Sequence, residues 1–236
     1  MKRFILALPL LLATGPLYAI SSLQLNIDGG TYDPVTQTII GPNDTTFDLY
    51  AYYNPGKKEP AIDDSWFQVY MSLLPTSLSG IVSFTYQVGS APPVSVDIDT
   101  TMQGTPSYIR PHGIYPSPYQ GISFYIPEDQ LTEEYNTDEC PSCTPIKPTT
   151  AHTMYWQVIH FDTTHLPAGS YLHFDLAGNQ SAISEPFAWN PYSHDAQSYL
   201  SSNPGPDPIP APSTFALLGT ALFSLGGFLT CRKLRP

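Results

Sequence analysis

The sequence predicts an all-β fold, a single antiparallel β-sandwich of the jelly-roll or immunoglobulin-like type. Apolar and aromatic residues alternate with a period of two, the pattern of strands that bury one face. Proline accounts for 26 of the 236 residues and clusters between these runs, where it suits turns and sheet edges and opposes helices. The central region shows no convincing amphipathic helix, so strands alone must build the core.

The alternation defines about eight strands, bounded by Gly, Pro, Asn and Asp. The first places Leu23, Leu25 and Ile27 on one face. The second does the same for Phe47, Leu49, Ala51 and Tyr53. The remaining runs, rich in β-branched and aromatic residues, are 66–74, 81–88, 94–98, 122–126, 154–161 and 171–176. The segment 166–170, Leu-Pro-Ala-Gly-Ser, predicts a turn between the last two strands.

The amino terminus predicts export. Lys2 and Arg3 precede the apolar segment 4–13, and Ala19 offers a cleavage site, so residues 1–19 are expected to form a signal peptide. The β-sandwich domain is then expected at residues 20–201.

The carboxyl terminus predicts a membrane segment. Residues 202–209 form a proline-dense spacer, and residues 215–230 form an uncharged apolar run. As a helix this run rises ~24 Å, slightly less than the ~30 Å hydrocarbon core of a bilayer. A basic membrane stop follows it, on the cytoplasmic side by the positive-inside rule: Arg232, Lys233 and Arg235.

The charge balance excludes some partners. The chain has 9 basic and 20 acidic residues, and five of the basic ones lie in the two terminal segments, so residues 20–209 carry 4 − 20 = −16. Nucleic acid and anionic lipid surfaces each require a basic patch, which this region lacks. Cations, neutral glycans and other proteins remain as partners.

Cys140 and Cys143 are the two cysteines of the exported region. Their spacing suits a small disulfide, a metal site or a redox pair. No second Cys/His pair follows at zinc-finger spacing, and the surrounding stretch is polar and proline-rich, unlike a thioredoxin-type strand-to-helix junction. The sequence therefore favours a structural loop disulfide. Cys231 belongs to the terminal tail.

Two histidines invite a catalytic interpretation: His112, and His194 with Ser193 or Asp195 as its partner. Sequence neighbours in a strand face opposite ways, so adjacency is no evidence of a triad. The chain also lacks a Gly-x-Ser-x-Gly nucleophile elbow. We assign no catalytic residue and expect the histidines to form hydrogen bonds in turns.

Paired acidic residues supply oxygen ligands of the type that Ca²⁺ prefers. The pairs are Asp63-Asp64, Asp97-x-Asp99, Glu128-Asp129, Glu133-Glu134 and Asp138-Glu139. None matches an EF-hand loop, and a solvated surface explains them. We therefore assign no metal residue and expect no cofactor, with a structural calcium ion as the alternative.

Aromatic side chains form the candidate glycan-binding residues. Tyrosine and tryptophan offer a flat apolar face with a polar edge, which suits stacking on sugar rings. The candidates are Trp66, Trp156, Trp189 and Tyr192. Packing in the core or in turns is the competing explanation for each.

The terminal tail resembles a known sorting signal. Pro210-Ala211-Pro212-Ser213-Thr214, the following Phe-Ala-Leu-Leu-Gly and the basic end resemble the PEP-CTERM signal of Gram-negative bacteria. Ala211 stands where that family usually has glutamate. The resemblance implies that an exosortase-like enzyme recognises the sorting tail 210–236 and removes its transmembrane helix.

The exported region resembles the choice-of-anchor N proteins, exported bacterial domains that commonly end in PEP-CTERM tails. The similar segments, in order, are 23–33, 47–52, 110–116, 135–137 and 190–196. The resemblance implies a protein of the cell surface or the extracellular (biofilm) matrix. The family has no established activity, so it implies no catalytic residue.

These observations predict a structural or adhesive protein of the cell surface or matrix, without catalytic activity and transiently anchored in the inner membrane. The expected partners are the exosortase-like enzyme, the membrane before processing, and exopolysaccharide or other envelope proteins. The alternatives are a glycan-binding module that uses exposed aromatic residues and a secreted hydrolase.

Overall fold

The structure is a computed structural model that describes residues 22–55, 61–107, 109, 113–147, 153–180, 186–189 and 195–198. The predicted signal peptide, the proline-rich spacer and the sorting tail lie outside these residues. Within them, one single-turn 3₁₀ helix (Ile62–Asp64) accompanies fourteen strands. No helix in the described ranges is long and apolar enough to cross a bilayer.

The strands follow one another with short connections. They are β1 (Leu23–Ile27), β2 (Thr31–Asp33), β3 (Thr38–Ile40), β4 (Thr46–Tyr53), β5 (Ser65–Leu74), β6 (Ile81–Val88), β7 (Val94–Asp99), β8 (Gln103–Gly104), β9 (Ser117–Phe124), β10 (Leu131–Glu133), β11 (Thr153–Asp162), β12 (Tyr171–Gln180), β13 (Pro186–Trp189) and β14 (Asp195–Gln197).

The strands form two sheets. The six-stranded sheet has the order β1-β4-β11-β6-β7, with β10 added beside β11. The eight-stranded sheet has the order β2-β3-β14-β12-β5-β9-β8, with β13 added beside β12. The all-β prediction is therefore confirmed.

The expectation of purely antiparallel pairing is wrong at one place. Strands β3 and β14 run parallel, with Asp195 opposite Thr38. Parallel neighbours need a long connection, and the chain between these two strands passes through both sheets before it returns. The eight-stranded sheet is consequently mixed.

The core lies between the two sheets. Phe161 of β11 and Phe174 of β12 bring one ring from each sheet together, with centroids 4.9 Å apart. Tyr53 of β4 and Phe67 of β5 make a second contact between the sheets at 5.2 Å. Because the inward residues of both sheets join one buried cluster, each sheet covers the apolar face of the other.

The predicted strands are all present, and one is displaced. The run predicted at 122–126 overlaps β9 (Ser117–Phe124), which begins and ends earlier than predicted. The last residue of β9, Phe124, lies opposite Phe67 of β5. The predicted turn at 166–170 is also confirmed: Gly169 has a φ of 78°, and the Ser170 N–H donates to the Pro167 carbonyl. Strands of two to four residues were missed, since they are too short to show alternation.

Candidate functional site

The outward face of the six-stranded sheet carries a group of aromatic rings. Residues two apart on a strand share a face, so Tyr50 and Tyr52 of β4 both point away from the core that holds Leu49 and Ala51. Trp156 of β11 lies opposite Tyr52 in the strand pairing. Tyr135, from the segment after β10, packs against Tyr52 with ring centroids 5.5 Å apart. We call Tyr50, Tyr52, Tyr135 and Trp156 the aromatic patch.

The four rings of the aromatic patch differ in exposure. Tyr52 is fully buried and accepts a hydrogen bond from the Tyr135 hydroxyl at 2.5 Å. Tyr50, Tyr135 and Trp156 are partly exposed. The centroids of Tyr50 and Trp156 are 5.9 Å apart, with the rings tilted by 55°. Buried Tyr52 and its hydrogen bond thus support three rings that reach solvent.

The phenols of the patch stay neutral over the physiological pH range. Burial raises the pKa of Tyr135 to about 12. Burial also raises the pKa of Tyr50, and the charges of Asp48 and Asp28 add to this shift. Each hydroxyl therefore remains protonated and can donate a hydrogen bond.

An open groove of about 590 Å³ continues the same sheet face beyond Tyr50. Its polar lining includes Asp28, Thr46, Asp48, Gln87, His160 and Asp162. His160 Nδ1 and Asp48 Oδ1 are 2.5 Å apart, and the two side chains are 43% and 36% exposed. Hydrogen-bonding groups therefore lie next to the exposed aromatic rings.

Hydrogen bonds to strand β1 position the segment that carries Tyr135, and a disulfide closes a small loop farther along this segment. Cys140 and Cys143 form a disulfide with Cα atoms 5.3 Å apart. The buried Gln24 side chain donates to the Tyr135 carbonyl at 3.2 Å and accepts from the Thr137 N–H at 2.9 Å. Asn26 donates to the Cys143 carbonyl at 2.9 Å. Two polar residues of edge strand β1 thus attach the loop.

Of the predicted glycan-binding residues, Trp156 alone lies in the aromatic patch within the described part of the chain. Trp66 is partly exposed on β5 of the other sheet, opposite Asn179. Trp189 belongs to β13, where only the backbone is described. Tyr192 lies outside the described residues. Tyr50 and Tyr52 were missed. They alternate with the core residues Leu49 and Ala51 along β4, and this pattern could have placed both tyrosines on the outward face.

A second polar cluster lies on the eight-stranded sheet. His173 and Asp175 of β12 and Asp195 of β14 point away from the core that holds Leu172, Phe174 and Ala196. His173 Nε2 lies 3.4 Å from Asp195 Oδ2 and 3.7 Å from Asp175 Oδ2. All three residues are at most 2% exposed. We call them the buried triad.

Two hydroxyls extend the buried triad. Tyr115 donates to Asp175 Oδ2 at 2.6 Å, and the Ser72 hydroxyl donates to the Tyr115 oxygen at 3.1 Å. Burial alone lowers the pKa of His173, but the charges of Asp195 and Asp175 outweigh it and raise that pKa to about 10. Burial raises the pKa of Asp195. The protonation state of His173 therefore depends on the charges of Asp175 and Asp195, and theirs depend on it.

The structure places the predicted catalytic candidates as follows. His112, Ser193 and His194 lie outside the described residues. Asp195 is described, and the imidazole that it contacts belongs to His173, which sequence reasoning missed. The signal for His173 was its spacing of two from Asp175 inside a predicted strand.

Within the described ranges, the buried triad is the one group of three or more side chains that could hold a metal ion. The paired acidic residues considered as calcium ligands do not enter such a group. Two of those residues bind neighbouring hydroxyls instead: Asp97 accepts from Ser83 at 2.6 Å, and Asp99 accepts from Thr101 at 2.7 Å.

Comparisons with known proteins add little to this description. No family model matches the chain, and no curated protein matches its sequence. Among solved structures, a chain described under "AvmM Catalyzes Macrocyclization in Alchivemycin A Biosynthesis" has 11% sequence identity and a TM-score of 0.34. The match covers 79% of this chain and 91% of that one. A similarity this low carries no argument about function.

Proposed function

We propose that this protein is an exported, non-catalytic adhesive protein of the bacterial cell surface or extracellular matrix that binds neutral polysaccharide on its aromatic patch. The observation that carries the proposal is the position of Tyr50 and Trp156, two partly exposed rings in contact beside a polar groove. Aromatic faces bind the apolar side of sugar rings, and nearby polar groups bind the sugar hydroxyls.

The charge of the molecule favours neutral over acidic polysaccharide. Residues 20–209 carry a formal charge of −16, and Asp28, Asp48 and Asp162 line the groove. A polyanionic glycan would meet like charges there, whereas a neutral one meets hydrogen-bond acceptors. Adhesion by many weak sugar contacts also needs no reactive centre.

The proposal includes the architecture and the route to the surface. The two-sheet arrangement supports a β-sandwich of the jelly-roll or immunoglobulin-like type, with the six-stranded sheet as the binding face. The resemblances to choice-of-anchor N proteins and to the PEP-CTERM tail support export, transient membrane anchoring and handling by an exosortase-like enzyme.

Affinity electrophoresis of the purified protein in gels that contain neutral polysaccharides tests the binding face. We expect Tyr50→Ala and Trp156→Ala each to weaken binding roughly two- to tenfold, because a stacking ring contributes about 0.5–1.5 kcal/mol. Near-ultraviolet circular dichroism checks that each variant is folded.

Trp66→Ala is the matched control, since it removes a partly exposed tryptophan from the other sheet. Its binding should equal that of the unmodified protein. Retention of full affinity by both patch variants would overturn the proposed site, and loss of affinity in Trp66→Ala alone would move the site to the eight-stranded sheet.

A further inference from the structure

We propose that the buried triad His173, Asp175 and Asp195 binds one divalent transition-metal ion, with Zn²⁺ as the best match. The site would be structural, on the face of the eight-stranded sheet that points away from the core. The site lies apart from the aromatic patch, so this proposal does not depend on the proposed function.

Strand pairing forces the two carboxylates together. Strand β14 pairs with β12 so that Gln197 lies opposite His173 and Ala196 lies opposite Phe174. The next pair in this antiparallel register is Asp195 with Asp175. Like charges placed directly opposite one another destabilise a sheet, more so when both are buried. A positive charge at this point, on the His173 imidazole or on a bound cation, relieves that repulsion.

The spacing of the three ligand atoms suits a metal ion. His173 Nε2 is 3.4 and 3.7 Å from the two carboxylate oxygens, and the three atoms all lie within 4.8 Å of one another. These distances exceed the roughly 2.7–2.9 Å of a charge-assisted hydrogen bond. Atoms so placed lie on a circle of roughly 1.9–2.4 Å radius, a range that includes the Zn–N and Zn–O bond lengths of about 2.0–2.2 Å.

Asp195 supplies an independent observation. Its Oδ1 atom is buried, in a residue that is only 2% exposed, and makes no hydrogen bond of normal geometry to the residues that the structure describes, although the Thr38 side chain lies near enough to favour the ionised carboxylate. The neighbouring Thr38 hydroxyl donates to the Thr36 carbonyl. A buried carboxylate oxygen without a partner costs free energy unless a cation satisfies it.

A divalent ion would neutralise the site without protonation of either carboxyl. Two carboxylates with a protonated imidazole keep a net charge of −1 in a buried site, whereas two carboxylates with a neutral imidazole and a divalent ion are neutral. The Tyr115 hydroxyl, 2.6 Å from Asp175 Oδ2, would orient that ligand, as outer hydrogen bonds do in metal sites.

The donor set selects the type of metal. Imidazole nitrogen suits zinc and other late transition metals, whereas Ca²⁺ and Mg²⁺ prefer oxygen ligands alone. One imidazole and two carboxylates supply three of the four ligands that Zn²⁺ takes, and water is left for the fourth.

The test is metal analysis of the untagged full chain after refolding with Zn²⁺, Mn²⁺ or Ca²⁺ and removal of excess metal. We expect about one Zn²⁺ per chain and a melting temperature raised by several degrees in a manner that depends on free Zn²⁺. Substitution with Co²⁺ should produce visible absorption typical of a nitrogen- and oxygen-ligated ion.

Variants locate the ion. Asp195→Asn keeps the side-chain shape and should lose bound Zn²⁺, whereas the double variant Asp48→Asn/His160→Gln, at the exposed pair, should retain it. Zinc analysis of the unmodified chain tests the proposal even if Asp195→Asn fails to fold. Absence of bound Zn²⁺, a preference for Ca²⁺, or loss of Zn²⁺ in the Asp48/His160 variant would overturn the proposal.

Discussion

Asp138 belongs to the segment that connects β10 to β11. Burial, together with the charges of Asp195 and Glu139, raises the pKa of its carboxyl from 3.8 to about 7. The pKa of the Tyr32 phenol is also raised, to about 12, by burial and by the charges of Asp138, Asp195 and Asp33. Both shifts come from a negatively charged region that is partly closed to solvent. At the scale of single residues, position in the fold therefore determines which acidic groups are neutral near pH 6.

The raised pKa of Asp138 has a defined sign for stability. The folded protein holds a proton that the unfolded chain releases between about pH 4 and pH 7. The free energy of unfolding should therefore fall as pH rises through this window.

We expect Asp138→Asn to raise the free energy of unfolding at pH 8 by on the order of 1 kcal/mol, a figure discounted for the partial exposure of the side chain. The gain should vanish near pH 4, where the native carboxyl and the amide are both neutral. Denaturant unfolding at the two pH values, with a chelator present, measures the difference. Asp129→Asn makes the same charge change at an exposed turn, and an equal gain there would contradict the explanation.

At the scale of elements, edge strand β1 attaches the segment 135–143, which contains the disulfide. Gln24 and Asn26 alternate with the core residues Leu23, Leu25 and Ile27, yet both polar residues are fully buried. Their amide groups bind the Tyr135 carbonyl, the Thr137 N–H and the Cys143 carbonyl. An edge that would otherwise expose polar side chains is thus covered, and the loop gains a fixed position.

We expect Gln24→Ala to lower the free energy of unfolding by about 1–3 kcal/mol, because it removes the acceptor of the buried Thr137 N–H. The loop should also become sensitive to proteolysis, with cleavage sites within 134–146. Denaturant unfolding and limited proteolysis with mass analysis measure the two effects.

Gln120→Ala is the matched control for this change, because Gln120 is exposed on β9 and its side chain donates to the adjacent Gly121 carbonyl. It should change stability by less than about 0.5 kcal/mol. Equal effects of the two substitutions would show that Gln24 does not hold the loop.

At the scale of the whole molecule, the two sheets share one core and divide the surface into two outward faces. One face carries the aromatic patch and the groove, and the other carries the buried triad. The proposed adhesive role uses the first face, while the proposed metal ion stabilises the second. The formal charge of −16 over residues 20–209 keeps such a domain away from other polyanions.

Export and tail removal make a prediction for the whole chain. Intact mass spectrometry of protein from the envelope and medium of the native host should find a species that begins near Ile20 and ends near Pro212. By the proposed route, removal of the apolar run 215–230 would allow release from the membrane. A species that still contains Arg235 would identify a permanent single-span anchor, with Ala211 as the reason for failed processing.

The strands were predictable because their signal is local. Alternation in β4, β5, β6, β11 and β12 reflects which side chains leave water, and a few neighbouring residues suffice to show it. The short strands β2, β3 and β14 gave no such signal. Their pairing depends on partners far away in the sequence, as the parallel contact of Asp195 with Thr38 shows.

The candidate sites were predictable only in part. Trp156 was identified from its residue type, but its contact with Tyr50 required the register between β4 and β11. His173 and Asp175 could have been placed on one face by their spacing, whereas Asp195 reaches them only through the pairing of β14 with β12.

The all-β class, the position of the long strands and the acidic character of residues 20–209 could be predicted from the sequence, since they follow from composition and from periodicity along the chain. The packing of the two sheets was needed to show which aromatic rings reach solvent together and which carboxylates are buried together. The physical reason is that exposure and electrostatic coupling depend on what covers each face of a sheet, and the covering groups come from remote parts of the chain.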